Sequence, residues 1–145
     1  MPISSITDAR DLIIGVLDSA WSVSASNIPL AFEDVKEDDI PPKNGTAWAR
    51  IQVRHNSFFK ATVGGEVGNR RFRRVGLVTI QIFTPVGEGL SQADSLAKIA
   101  LDAFEGKSTG ADSIEFRNAR INEIGRDGSW FQTNVLVDFE YDEVK

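Results

Sequence analysis

The 145-residue sequence contains no cysteine and only one histidine. The missing cysteine excludes disulfides, thiolate catalysis and cysteine-ligated zinc, and it suits a protein made in a reducing cytoplasm. No uninterrupted apolar run approaches the roughly 18 residues that a membrane-spanning helix requires, so we expect no membrane partner. The length lies within the range of about 100 to 200 residues that one domain usually occupies. We therefore expect residues 1–145 to form a single domain.

Positive charge is in the minority, because 16 lysines and arginines face 21 aspartates and glutamates, and the net charge is −5. Such a balance disfavours non-specific binding to nucleic acid. The charges are nevertheless segregated along the chain. An acidic segment contains Glu33, Asp34, Glu37, Asp38 and Asp39, and a basic segment contains Arg70, Arg71, Arg73 and Arg74. This distribution predicts surface patches of opposite sign.

Two segments have the periodicity of amphipathic helices. Apolar residues recur at spacings of three and four, which predicts helices over 8–22 and 91–105. We expect the Thr7 side chain to cap the first helix. Ser91, with Asp94 three residues later, matches a capping box at the start of the second helix.

Strand patterns occupy most of the remaining sequence. The predicted strands cover residues 28–32, 47–53, 75–84, 114–116, 119–124 and 130–141. Residues 57–74 combine glycines with arginines, and we expect them to form a protruding hairpin or mobile arm. The order of the elements predicts an α+β fold, in which two helices pack on one face of a mainly antiparallel sheet.

Sites for catalysis or cofactors have little support in the sequence. His55 ends a predicted strand, and no serine or carboxylate is placed by the sequence to make it a general base. The acidic segment lacks the spacing of a calcium loop, and Gly87-Glu88-Gly89 lacks the third glycine of a pyrophosphate-binding fingerprint. We therefore predict no catalytic residue, no metal and no cofactor. We expect a protein that is not an enzyme and that acts through a binding or assembly surface.

The segment RRFRR, from Arg70 to Arg74, is the strongest candidate for such a surface. Arginines interleaved with an aromatic side chain suit either phosphate contacts or a protein interface. The acidic balance of the remaining sequence favours the protein interface, and a nucleic-acid-binding module is the alternative. Trp48 and Trp130 lie on the less apolar sides of their strands, where either an interface or a covering helix would account for them.

Longer phrases of the sequence resemble a known protein family. The segment QIFTPVGEG, followed by a helix that begins LSQADSLAKIALDAFEG, resembles the corresponding part of the tail terminator proteins of long-tailed bacteriophages. The similarity covers nearly the whole chain, including the N-terminal helix, the acidic proline-containing loop, the Gly/Arg-rich hairpin and the closing hairpin. Other head–tail completion proteins share this topology and form a further alternative.

The resemblance implies a structural role in the neck region of the virion tail. Proteins of this family assemble as a hexameric ring on the last ring of the tail tube, stop its polymerisation and present the surface that joins the head. The implied partners are further copies of the chain, the major tail tube protein and a head-completion or connector protein, while DNA only passes through the channel. Under this interpretation the subunit or tube interface contains Arg70, Arg71, Phe72, Arg73, Arg74 and Trp48, and the channel lining or a subunit contact contains Glu33, Asp34, Glu37, Asp38 and Asp39.

Overall fold

The computed structural model describes residues 5–33, 41–42, 45–60, 64–107 and 114–145. In chain order the elements are α1 (Ile6–Ser24), β1 (Leu30–Phe32), β2 (Trp48–Lys60), β3 (Arg71–Pro85), α2 (Ser91–Phe104), β4 (Ile114–Asp127) and β5 (Trp130–Val144). Within these residues, neither helix is both long enough and apolar enough to cross a membrane.

The strands form one five-stranded sheet in the order β1-β2-β3-β5-β4. Only β1 and β2 are parallel, and the other three neighbouring pairs are antiparallel. Both helices pack on the same side of this sheet and share one hydrophobic core with it. The predicted α+β fold, with two helices on one face of a mainly antiparallel sheet, is therefore confirmed.

Side chains alternate between two faces of the sheet, as strand geometry requires. On the helix face, Ile51, Ile80 and Val135 lie side by side on β2, β3 and β5, and each is at most 1% exposed. Each such buried aliphatic side chain contributes about 1.5–3 kcal/mol to the stability of the fold. The opposite side, which no helix of the described residues covers, we call the outer face.

The first helix forms because its apolar residues recur at every fourth position. Ala9, Ile13, Leu17 and Trp21 are all buried against the sheet. The Ser5 side chain caps the helix by accepting a hydrogen bond from the Asp8 amide at 3.1 Å. Thr7 lies inside the helix, so the prediction that it is the cap was wrong by two residues.

The second helix matches its predicted range to within one residue but begins differently. Its cap position is Leu90, whose carbonyl accepts a hydrogen bond from the Asp94 amide at 2.9 Å, and no side chain caps the helix. The predicted capping box of Ser91 with Asp94 was therefore wrong. A capping box requires its serine at the cap position, and Ser91 is already the first residue of the helix.

The fourth strand combines two segments that the sequence pattern separates. β4 continues through both predicted pieces and contains irregularities between Arg117 and Arg120 and between Glu123 and Gly125. Asn118 and Gly125 have positive φ angles of 55° and 103°, which is the backbone conformation that such irregular positions require. The alternation is interrupted at these points, which explains why the pattern indicates shorter strands.

The protruding hairpin expected over residues 57–74 is not confirmed. β2 continues to Lys60, and the segment from Arg71 to Arg74 lies inside the sheet, paired with β2 on one side and with β5 on the other. Arg70 and Lys145 extend this pairing, because each donates its amide to the other's carbonyl, at 3.2 and 2.9 Å. The basic segment is therefore part of the sheet's central strand.

Candidate assembly surface

The single histidine belongs to an aromatic cluster on the helix face. His55 Nε2 lies 2.8 Å from the Tyr141 hydroxyl, and its ring contacts those of Phe58 and Phe139. Burial, followed by the nearby positive charges of Arg10 and Arg74, lowers the pKa of His55. Burial also raises the pKa of Tyr141 to about 12. Both side chains are therefore held in their neutral forms, and the geometry indicates a structural pair.

The glycine-containing turn after β3 has the geometry of a simple connection. Gly87 and Gly89 adopt positive φ angles of 89° and 79°, and Leu90 at the start of α2 is 43% exposed. The Val86 amide donates a hydrogen bond to the Ser129 carbonyl at 3.4 Å, which ties this turn to the neighbouring hairpin.

Across the residues that the structure describes, no group of histidine, aspartate and glutamate side chains could hold a metal ion.

The arginines of the basic segment divide between the two faces of β3. Arg71 and Arg73 lie on the outer face, where both form ion pairs with Asp142, at 3.4 and 2.9 Å. Arg74 lies on the helix face and is only 8% exposed. It forms an ion pair with Glu143 and lies over the ring of Phe58, with 4.6 Å between the guanidinium carbon and the ring centroid.

These ion pairs change the character of the basic segment. The hydrogen bond from Arg73 holds the pKa of Asp142 below its ordinary value, so this carboxylate keeps its charge to lower pH than a free aspartate. The carboxylates of β5 thus neutralise much of the positive charge of β3. A phosphate backbone would have to compete with them, which weakens the nucleic-acid alternative and favours a partner that presents both signs of charge.

The outer face carries its charges in rows. Arg73 on β3 and Arg117 on β4 flank Glu140 of β5, and both arginines form ion pairs with it. Further along the same strands, Arg120 contacts Asp138 at 3.4 Å. Acidic side chains of β5 thus lie between arginines of β3 and β4 at this end of the face, and Glu115 of β4 also pairs with Arg117.

The other end of the outer face is aromatic. The rings of Trp48 and Phe83 are stacked with centroids 4.3 Å apart, and Trp130 meets Trp48 edge-on at 6.4 Å. Arg50 lies over Trp48, and its Nε donates a hydrogen bond to the side chain of Gln81 at 2.8 Å. Because Trp48 is only 7% exposed, neighbouring strands cover most of it, and the covering helix considered from the sequence is not present in the described residues.

The acidic segment is described only at its first residue. Glu33 follows β1 and forms an ion pair with Arg54 on β2. Asp34, Glu37, Asp38 and Asp39 lie outside the described residues. Their assignment to a channel or a subunit contact stays a prediction.

Sequence reasoning missed the carboxylates that pair with the arginines. Asp142 and Glu143 come about seventy residues after Arg73 and Arg74, and only the register of β3 against β5 brings them together. It also missed Phe58 and Phe59, two consecutive residues of β2 whose side chains lie on opposite faces and are 52% and 51% exposed. The available signal was two consecutive phenylalanines in a strand pattern, because alternation turns one of them away from the helix face.

A family model for the phage tail terminator protein matches residues 10–139. This chain belongs to the phage tail terminator family. The match includes β1 to β4 and α2 completely and most of α1 and β5, so the fold described above is that of a tail terminator over most of its length. Membership makes the protein a structural component of the bacteriophage tail that contacts other tail and head proteins.

Two other comparisons bear on the fold of this tail terminator. One solved structure is similar to it, with a TM-score of 0.55 and 12% sequence identity over 88% of this chain and 94% of the other. At that identity the likeness concerns the fold alone. No curated protein matches the sequence.

Proposed function

We propose that this tail terminator forms a closed ring of six identical subunits on the last ring of the tail tube, stops further polymerisation and provides the surface that joins the head. The observation that carries the proposal is the family match over residues 10–139. The proposed partners are the major tail tube protein and a head-completion or connector protein, and DNA passes through the channel. In this role the protein works without catalysis, metal or cofactor, and it is made in the host cytoplasm before it joins the virion.

A closed ring requires two different surfaces on each subunit, because every contact joins one side of a copy to the other side of the next. The charge rows of the outer face supply a pattern that fixes register. Within the segment from Arg70 to Arg74, Arg71 is the best placed for a neighbour or the tube, because 61% of its side chain is exposed. Arg70 and Arg73 are half-buried, and Arg74 supports the surface from the helix face.

Charge alone would hold such an assembly weakly. Exposed ion pairs contribute about 0–1 kcal/mol each, so apolar contacts must supply most of the affinity. Two half-exposed aromatic side chains of β2 lie next to the arginines, but on different faces: Phe59 is opposite Arg73 on the outer face, and Phe58 is opposite Arg74 on the helix face. Phe72 is also on the helix face, where Arg74 lies over its ring and that of Phe58. We infer that Phe59, with Arg71 and Arg73 on the same outer face, forms the core of a subunit or tube contact, and that the acidic segment lines the channel.

Electron microscopy of tail tubes grown with and without the protein tests this role. We expect tubes of uniform length that end in a ring when the protein is present. The substitutions Arg71→Glu and Phe59→Asp should abolish the ring and release tube growth, whereas Lys98→Glu, an exposed charge reversal on α2, should leave both unchanged. A protein that stays monomeric under all conditions and leaves tube length uncontrolled would refute the proposal.

The same preparations separate the alternatives. A nucleic-acid-binding module would bind DNA with a steep dependence on salt, lost when Arg70, Arg71, Arg73 and Arg74 are replaced by alanine. The ion pairs of Arg71 and Arg73 with Asp142 predict weak DNA binding with a shallow salt dependence. Another head–tail completion protein would be seen on the head side of the neck without affecting the length of free tubes.

A further inference from the structure

Two valines are the most exposed large apolar side chains of the described residues. Val23, near the end of α1, is 85% exposed, and Val67, in the turn between β2 and β3, is 83% exposed. Such side chains gain from burial, and their positions on different elements suit the two unlike surfaces of a heterologous contact.

The turn that carries Val67 has a defined shape. The Asn69 amide donates a hydrogen bond to the Glu66 carbonyl at 2.9 Å, and Gly68 between them has a φ of 96°. A positive φ at the third position is the requirement of a type II turn, which glycine meets without strain. Val67 therefore occupies the second position, at the apex, with the Glu66 side chain beside it.

The base of this turn is braced. Arg70 and Lys145 exchange two backbone hydrogen bonds, at 3.2 and 2.9 Å, and Arg70 Nε donates a third hydrogen bond to the Gly65 carbonyl at 3.2 Å. The apex is thus held on the end of the sheet. Because a preorganised element loses less conformational freedom when it binds, this turn is suited to inserting into a partner.

An open groove of about 450 Å³ lies where the second half of α1 meets the end of α2 and the start of β4. It is lined mainly by apolar side chains, namely Val16, Ala20, Val23, Ala103 and Phe116, and Lys107 lies at its side. The groove thus offers an apolar surface and one positive charge.

The turn and the groove are complementary in apolar surface and in charge. The apex presents one apolar side chain and one carboxylate, and the groove presents apolar walls and one ammonium group. Neither Glu66 nor Lys107 has an ion-pair partner within the part of the chain that the structure describes. We propose that the Val67 turn of one copy docks into the α1–α2 groove of a second copy, with Glu66 meeting Lys107. This inference rests on the proposed ring and names one contact that closes it.

Cysteine cross-linking tests the contact, because the chain contains no cysteine of its own. The variants Val67→Cys and Val23→Cys are prepared separately, mixed, assembled on tail tubes and treated with a short bis-maleimide. We expect covalent dimers in the mixture and none in either variant alone. Val67→Cys mixed with Leu90→Cys is the matched control, since Leu90 is exposed but lies outside the groove. Equal cross-linking in the control would overturn the proposal.

A charge exchange supplies the second measurement. Glu66→Lys and Lys107→Glu should each weaken self-association about tenfold, and the double variant should restore it. Both residues are exposed, so the fold should tolerate these changes. If rings form on the tubes but neither the cross-link nor the charge effect is found, this contact is wrong while the proposed function stands. If the cross-link forms but tube length stays uncontrolled, the contact stands and the terminator role fails.

Discussion

The two faces of the sheet are made by the same strands but differ in chemistry. On β3, Val78, Ile80 and Ile82 point to the helix face and are completely buried, whereas Leu77 and Thr79, which alternate with them, point to the outer face and are half-buried. The helix face thus holds most of the apolar contacts that stabilise the chain. The outer face holds the charge rows, and we propose it as the surface for recognition. Substitutions on adjacent residues can therefore separate stability from assembly.

The largest difference should come from truncating apolar side chains on the two faces. Ile80→Ala removes a fully buried side chain at the centre of the sheet, and we expect it to lower the free energy of unfolding by about 2–5 kcal/mol. Leu77→Ala, three residues away on the outer face, should lower it by about 1 kcal/mol or less. Chemical denaturation measures both. Equal losses would show that the outer face is covered as completely as the helix face.

Gly76 tests how closely the helix face is packed at its far end. A Cβ atom there would lie 2.2 Å from the Arg54 carbonyl oxygen and 2.5 Å from Phe139 Cζ. Gly76→Ala should therefore destabilise the protein by about 1–3 kcal/mol. Gly15→Ala in α1 is the matched control, because nothing lies within 4 Å of its Cβ position, and it should stabilise the helix by about 0.5–1 kcal/mol.

A useful check is the double variant Gly76→Ala/Phe139→Leu. Removing the Phe139 ring relieves one of the two clashes but leaves the backbone carbonyl in place. The cost of Gly76→Ala should therefore be smaller when Phe139 is leucine than when it is phenylalanine, but it should not disappear. Complete recovery would contradict the importance of the Arg54 carbonyl.

Two ion pairs on opposite faces of the same strands give the next comparison. Glu143→Gln leaves the guanidinium of Arg74 buried without its partner, and we expect a loss of about 2 kcal/mol. Asp142→Asn breaks the outer-face pairs of Arg71 and Arg73, which are more exposed, and should cost below about 1 kcal/mol. Because a buried pair can often be replaced by apolar residues, Arg74→Met/Glu143→Leu should be more stable than Glu143→Gln. Denaturation curves that rank these variants differently would contradict this difference between the faces.

The smallest effects should be seen in the dependence of stability on pH. The pKa of His55 is lower in the folded protein than its ordinary value of 6.5, so the unfolded chain takes up the proton first as the pH falls. Stability due to His55 is therefore complete above pH 6.5 and decreases below it. The pKa of Asp142 lies below its ordinary 3.8, so its contribution is complete above that pH and is lost as the pH falls through the lowered value.

Unfolding measured from about pH 8 to about pH 3 should resolve these two ranges. His55→Gln should remove the decrease that begins near pH 6.5, and Asp142→Asn should reduce only the decrease at lower pH. If His55→Gln left the upper range unchanged, His55 would not be the group that titrates there.

Local patterns in the sequence predict the elements well and their starting points less well. The buried series from Ala9 to Trp21 and the alternation of β5 follow directly from periods of 3.6 and 2 residues. The cap of α1 is less certain from sequence, because Ser5 and Thr7 are both suitable cap residues two positions apart. The choice depends on where the backbone leaves the helix, which packing against the sheet determines.

The candidate surface was predictable only in part for a similar reason. The basic segment is evident from composition, but its pairing with Asp142 and Glu143 depends on the register between strands far apart in the chain. The burial of the Trp48 side chain likewise depends on Phe83, which lies directly opposite on the neighbouring strand. A pattern within one strand contains no information on which strand lies beside it.

The position of β3 between β2 and β5 has a consequence for how the chain folds. β2 and β3 are neighbours in sequence and can pair early, but the other edge of β3 must wait for β5, which is made after α2 and β4. Contacts of such large sequence separation slow folding, and an unpaired central strand is a site for aggregation until its partner arrives. During synthesis on the ribosome, the nascent chain therefore keeps an open strand edge until its last strand emerges, and this interval is where a chaperone would be needed.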